Sequence, residues 1–294
     1  MGWNLDALFP NLTKRVDEVK ELPPMPEVAQ GLLRLKDDPN SDAKKLGRLI
    51  ELDPSLASQI MRYARSAFFG YQGKIDSIQD AVSRVLGFDK AMHIAIGLAA
   101  GRALKHDNAG PLGVQAFWKH AIYSASLMQA LAAKMPVAAR PSIGMVYLSG
   151  LVHNIGYLLL GHLLEAEFNT LNEAVADNPQ KPVTELESAL LGTTHQELGA
   201  WLLRKWKMPP EVLSAVMNHH NGEFQGEYAT YANLTLVADC LLKRHGIGDG
   251  ESEAVPAAVM TRLGLQESQA EAMLDALLQD SENLDVLVGN IVSG

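Results

Sequence analysis

Ile143-Gly144-Met145-Val146-Tyr147-Leu148-Ser149-Gly150-Leu151-Val152-His153-Asn154-Ile155-Gly156-Tyr157-Leu158-Leu159-Leu160-Gly161-His162-Leu163-Leu164 carries no Asp, Glu, Lys or Arg, and its reading decides the class of the protein. As one helix rising about 1.5 Å per residue it is long enough to cross a hydrocarbon layer of ~30 Å. Its contents point elsewhere. Gly144, Gly150, Gly156 and Gly161 punctuate it, and His153-Asn154 at its middle would be costly in lipid. The stretch therefore reads as a buried helix with a break, at the centre of a soluble all-α protein.

Working outward, almost every periodic segment has helical spacing. Upstream, Asp53-Pro54 offers an N-cap with Pro at the first helical position, followed by Leu56, Ile60, Tyr63 and Ala64 on one face. A second helix is predicted from near Ser77 through Ile78, Val82, Val85 and Leu86 to Gly87, where the chain can turn left-handed. Asp89 is placed to cap a third, with Met92, Ile96, Ala99 and Ala103 inward, while Leu22-Pro23-Pro24-Met25-Pro26 forbids continuous helix. After the break His106-Asp107-Asn108-Ala109-Gly110-Pro111, Phe117, His120, Ser124, Leu127 and Leu131 form one stripe, ended by Pro136.

Downstream, Thr184-x-x-Glu187, Thr194-x-x-Glu197 and Ser268-x-x-Glu271 have the pattern of capping boxes. Pro209-Pro210 opens a helix with Val212, Val216 and His220 in register, and Tyr231 to Leu242 places Leu234, Val237 and Leu241 inward. Leu284, Leu287, Val288 and Ile291 complete a helical tail. The sequence contains neither a strand pattern nor a solenoid repeat.

Composition narrows the function classes. The 294 residues are 47% hydrophobic and 6% aromatic, with 34 acidic against 25 basic residues and a net charge of −9. That length forms one large domain or two, with a core large enough to need no disulfide or structural zinc. Cys240 stands alone, so an intramolecular disulfide and a Cys-based zinc site are excluded, and a reducing cytoplasm is the expected location. The acidic balance argues against broad nucleic-acid binding; Lys44-Lys45-x-x-Arg48, the densest basic run, reads as a solvated helix face. Met1-Gly2-Trp3-Asn4-Leu5-Asp6 has no basic stretch leading into an apolar core, so no targeting segment is expected there.

Of the nine histidines, His120, His153, His195, His219 and His220 fall at the ends or on the inward faces of successive helices. A site built from several helices collects single imidazoles from each, with carboxylates to offset charge, and Asp239 is positioned to be one. Taken singly, a histidine on an apolar face is more often a hydrogen-bonded core residue than a ligand, and His93, His106, His162 and His245 keep that reading. As a set, the five lie in apolar helices where unpaired imidazoles are expensive. A phosphate substrate would also need a cation, for which Lys119 beside His120 is the sequence's candidate.

These residues resemble the HDOD domain, a relative of the HD superfamily of metal-dependent phosphohydrolases. The resemblance rests on Leu22-Pro23-Pro24-Met25-Pro26, Leu49-Ile50-Glu51-Leu52-Asp53-Pro54-Ser55-Leu56, Ser66-Ala67-Phe68-Phe69-Gly70 and Ile78 to Gly87. A second block comprises Leu151-Val152-His153-Asn154-Ile155-Gly156, His195-Gln196-Glu197-Leu198-Gly199-Ala200, Trp206-x-Met208-Pro209 and His219-His220. It implies an all-α array of short helices in two lobes. With the break, it divides the chain into an N-terminal extension (1–20), an N-terminal lobe (21–110), an HD-like lobe with the histidines (111–245) and a C-terminal helical tail packed on the domain (246–294).

The resemblance implies a metal set of His120, His153, Asn154, His195, His219, His220 and Asp239. The sequence departs from the enzymes in two places: the name-giving His-Asp pair is His153-Asn154, and Ala116 replaces a Glu used by the HD-GYP relatives. Asn offers a neutral oxygen and cannot bridge two ions with charge compensation, which argues against a two-metal mechanism. An imidazole-rich set suits one divalent Fe, Zn or Ni ion better than Mg or Ca.

Three functional expectations follow. The first is a non-catalytic bacterial signalling module that binds a protein partner or a small nucleotide-like ligand. The second is a metal-dependent phosphohydrolase acting on a nucleotide or phosphodiester, and the third an inert scaffold. The tail offers an oligomer interface in all three.

Overall fold

Prolines keep residues 22–26 out of helix, and α1 (Glu27–Lys36) starts directly after them with Pro26 at its N-cap. In this computed structural model the described residues are 22–104, 108–250 and 254–293. The expectations for the N-terminal extension, for Met1 to Asp6, and for His106 and Asp107 lie outside them.

α2 (Ala43–Glu51) is capped by Asp42, and its Lys45 pairs with Asp38 on an exposed face. α3 (Pro54–Arg65) follows the predicted signal: Asp53 Oδ1 accepts the N–H groups of Ser55 and Leu56, both at 3.0 Å, with Pro54 at the first helical position. α4 starts as Ile78–Asp80 and continues as Ala81–Leu86 in wider π-helical turns, ending at Gly87 with φ +77°. The open backbone at Gly87 lets α5 (Phe88–Arg102) begin at the next residue. Asp89 is therefore inside the first turn rather than at the cap, and its carboxylate accepts the Gly144 N–H across the helix interface at 2.9 Å.

α5 is buried on nearly every side and packs against the apolar stretch that opened the sequence reading. That stretch forms α7 (Ile143–Val152) and α8 (Ile155–Leu163), interrupted at His153-Asn154. Ninety-four per cent of its most apolar window is buried inside the protein, which accounts for its hydropathy without a membrane. α7 also packs along α6 (Val114–Lys134). Tyr63 of α3 meets Tyr147 of α7 hydroxyl to hydroxyl, and Lys90 of α5 lies 4.9 Å from the Tyr147 ring centroid. One continuous apolar core runs from Met25 to Ile291.

The remaining helices are α9 (Glu165–Asp177), α10 (Val183–Leu191), α11 (His195–Lys205), α12 (Pro210–Asn218), α13 (Ala229–Lys243), α14 (Ala257–Leu263), α15 (Glu267–Gln279) and α16 (Ser281–Val292). No strand occurs among the described residues. The Thr194/Glu197 capping box forms at α11. The one expected at Thr184 does not: α10 starts two residues earlier, at Val183 after Pro182, and Glu187 turns inward. At α15 the box is made by Gln266 and Gln269, which leaves Glu271 to pair with Arg244. α15 and α16 pack against α6 and bury Leu274, Leu277, Leu284 and Leu287, and Lys119 and Tyr123 of α6 reach Asp285 of α16.

Candidate metal centre

Five chain segments meet at the break between α7 and α8. His120 comes from the second turn of α6, His153 and Asn154 from the break, and His195 from the first turn of α11. His219 and His220 follow the last turn of α12, and Asp239 projects from α13. Gly156 sets how near α11 can come, since a Cβ there would lie 2.0 Å from the His195 carbonyl oxygen.

The imidazoles form a chain of ring contacts: His120 to His153 at 5.0 Å, His153 to His219 at 5.1 Å, and His219 to His195 and His220 at 5.2 and 4.3 Å between centroids. Two groups have ligand atoms that all lie within 4.8 Å of one another: His195 with His219 and His220, and His120 with His153 and Asp239. Six of the seven expected residues therefore fall into two adjoining triads. Asn154 is buried beside them, and its Oδ1 has no hydrogen-bond partner.

The outer nitrogens are held from behind. His153 Nδ1 faces Gly150 O at 2.8 Å, His219 Nδ1 faces Val216 O at 2.9 Å, and His195 Nδ1 faces both Glu187 oxygens at 2.8 and 3.0 Å. Each acceptor draws the ring proton to Nδ1 and leaves an Nε2 lone pair aimed inward. His195 Nε2 and His219 Nε2 consequently confront each other at 3.1 Å. A cation between them reconciles that contact: two nitrogens 3.1 Å apart subtend about 100° at an ion bonded at about 2.0–2.1 Å. One shared proton is insufficient, because His120 Nδ1 and the Nε2 atoms of His153 and His220 are also buried without a hydrogen-bond partner, and His120 Nε2 has only Asp239 Oδ1 3.3 Å away. The residues thus fit a divalent ion.

Burial sets the protonation states. It pushes His153 down to about 3 and His220 to about 4, and lowers His120 and His219 as well, His219 far below the usual range, so these rings are neutral and competent as ligands at neutral pH. Burial and the neighbouring Asp249 would raise Asp239, yet the Lys243 ammonium outweighs both, and Asp239 stays ionised.

Sequence reasoning passed over four neighbours. Glu187, taken as a capping residue, is 1% exposed and orients His195. Tyr157 stacks on the His195 ring at 4.4 Å and donates to Asp249 Oδ2 at 2.8 Å. Lys243 contacts Asp239 at 2.9 Å and Asp249 at 2.6 Å. Its signal was present: Lys243 lies four residues after Asp239, on the same face of α13. Lys119, the expected phosphate cation, is instead held by Asp285 at 3.0 Å. Replacing Glu187 by glutamine keeps the shape but removes the carboxylate behind His195; metal affinity should fall about 10- to 100-fold, as measured by competition with a chromogenic chelator.

The HDOD domain profile matches residues 22–222, more than half of the sequence. The chain belongs to the HDOD family. A Marinobacter aquaeolei VT8 protein whose name assigns it to signal transduction is 34% identical; the alignment covers 99% of this chain and 67% of that one, with a TM-score of 0.88. An HDOD domain protein of Geobacter sulfurreducens shares the fold at 19% identity, covering 98% and 99% of the two chains, with a TM-score of 0.78. An uncharacterized protein of Treponema pallidum (strain Nichols) is 24% identical over 274 residues, and this HDOD chain spans about half the length of that curated relative while 90% of it is aligned. Asp239, Lys243 and Asp249 lie beyond the residues that the HDOD profile matches.

Proposed function

We propose that this HDOD chain is a non-catalytic cytoplasmic signalling module that holds one divalent transition metal, Fe, Zn or Ni, in its histidine centre. It signals through its outer surface to a protein partner or a small nucleotide-like ligand. The observation that carries this reading is burial. His120, His153, His195, His219 and Asp239 are each at most 4% exposed, the His220 side chain is 20% exposed, and no histidine lines the neighbouring cavity of about 570 Å³, which Lys243 and Gly248 border. A hydrolytic centre needs an open coordination position and a route for the phosphate. Neither nearby cation is free to receive one, since Lys243 serves two carboxylates and Lys119 serves Asp285. Asn154 also withholds the negative charge that a bridging Asp would supply.

Bound here, the ion would supply a fixed positive charge that satisfies the inward lone pairs. The test is elemental analysis of protein purified without chelator, paired with incubation of the Fe-, Mn- and Zn-loaded forms with nucleotides and a cyclic dinucleotide. About one equivalent of metal is expected, lost in His153→Ala and His220→Ala, with every substrate recovered intact. Turnover that disappears in His153→Ala would instead establish a phosphohydrolase.

A further inference from the structure

Two triads of ligands adjoin in this centre, yet only one contains a carboxylate, and that carboxylate already has a cation. Lys243 Nζ lies 2.9 Å from Asp239 Oδ2 and 2.6 Å from Asp249 Oδ1, with its side chain 11% exposed and both carboxylates 4%. We propose that the Lys243 ammonium is a built-in substitute for a second divalent ion: it occupies the charge position between Asp239 and Asp249 and restricts the centre to a single metal. This rests on the reading that the histidine centre binds metal.

The charge count supports it. Glu187, Asp239 and Asp249 are three buried carboxylates, and Lys243, its side chain 11% exposed, is one ammonium among them. Apart from the imidazoles the remainder is two negative charges, which one divalent ion balances. Without Lys243 the remainder is three, so a single divalent ion leaves one carboxylate charge uncompensated.

Backbone geometry places Asp249 for this task. It sits in Gly246-Ile247-Gly248-Asp249-Gly250, and Gly248 has φ +147°. A Cβ on Gly248 would lie 2.7 Å from Lys243 Cγ and 3.1 Å from His120 Nδ1, so the loop passes directly over both side chains. Tyr157 fixes the second oxygen of Asp249. The ammonium joins Asp249 to Asp239, which shares its ligand group with His120 and His153, and His120 Nδ1 lacks a hydrogen-bond partner.

The experiment is Mn²⁺ and Zn²⁺ stoichiometry, by elemental analysis after gel filtration, of the native chain, Lys243→Gln and Lys243→Gln/Asp249→Asn. Expected values are one, two and one ions per chain. A folded Lys243→Gln protein that still binds one ion overturns the inference and leaves the metal reading intact; no metal in the native chain overturns both. Should Lys243→Gln unfold when metal-free, its refolding is titrated with Mn²⁺. Recovery that takes up two equivalents supports the substitution, and failure to recover, or recovery with one equivalent, overturns it.

Discussion

Gly156→Ala is expected to cost about 3 kcal/mol of folding stability and to abolish metal binding in whatever protein still folds. On helix propensity alone the change is favourable by about 1 kcal/mol, as alanine is the better helix former. Packing reverses the sign. The added Cβ would lie 2.0 Å from the His195 backbone oxygen, and no rotamer can relieve a clash between main chains. α8 and α11 must separate by more than 1 Å or so, which withdraws the His195 ring from His219 and Glu187. Urea unfolding reads the stability, and elemental analysis the metal. Gly289→Ala in α16 is the control: a Cβ there meets nothing within 4 Å, so stability should rise by up to about 1 kcal/mol. Equal stability of Gly156→Ala and the native protein would show that the helices have slack, contrary to this account.

Stripping the ion should have a comparable effect on the whole fold. A ligand that binds only the folded state stabilises it by RT ln(1 + [L]/Kd), about 4 kcal/mol when the free ion is at 1,000 times Kd. For a chain of this size that corresponds to about 10 °C in Tm. Thermal unfolding with excess Zn²⁺ and after exhaustive chelation should differ by that amount. His219→Ala should show no such difference, because its ring touches three of the other four histidines at the centre. A native protein whose Tm ignores chelation would mean the histidines are satisfied without a cation.

Most of the helical order was legible in local chemistry. The α3 cap, the Thr194 capping box, the Pro210 start and the break at His153-Asn154 all follow from residues within one turn of the feature. The misreadings share a cause. Asp89 and Glu187 have the composition of caps, but each is bonded to a group in another helix, the Gly144 N–H and the His195 ring, and both helices begin upstream of the expected cap, at Phe88 and Val183. The histidine set was legible because its members stand in otherwise apolar helices. Asp249 was not, since it sits in a glycine loop that resembles any surface turn until Lys243 and Tyr157 are seen against it.

The depth of the histidine cage also bears on time. Its residues come from five separated segments, so no short piece of unfolded chain can preassemble the site, and an ion bound there would be captured as the helices close. Once closed, exchange can proceed no faster than the cage opens, a process governed by local unfolding rather than by diffusion of the ion. The occupant would then record which cation was plentiful when the chain folded, and two batches grown in different media would keep different ions through hours of dialysis.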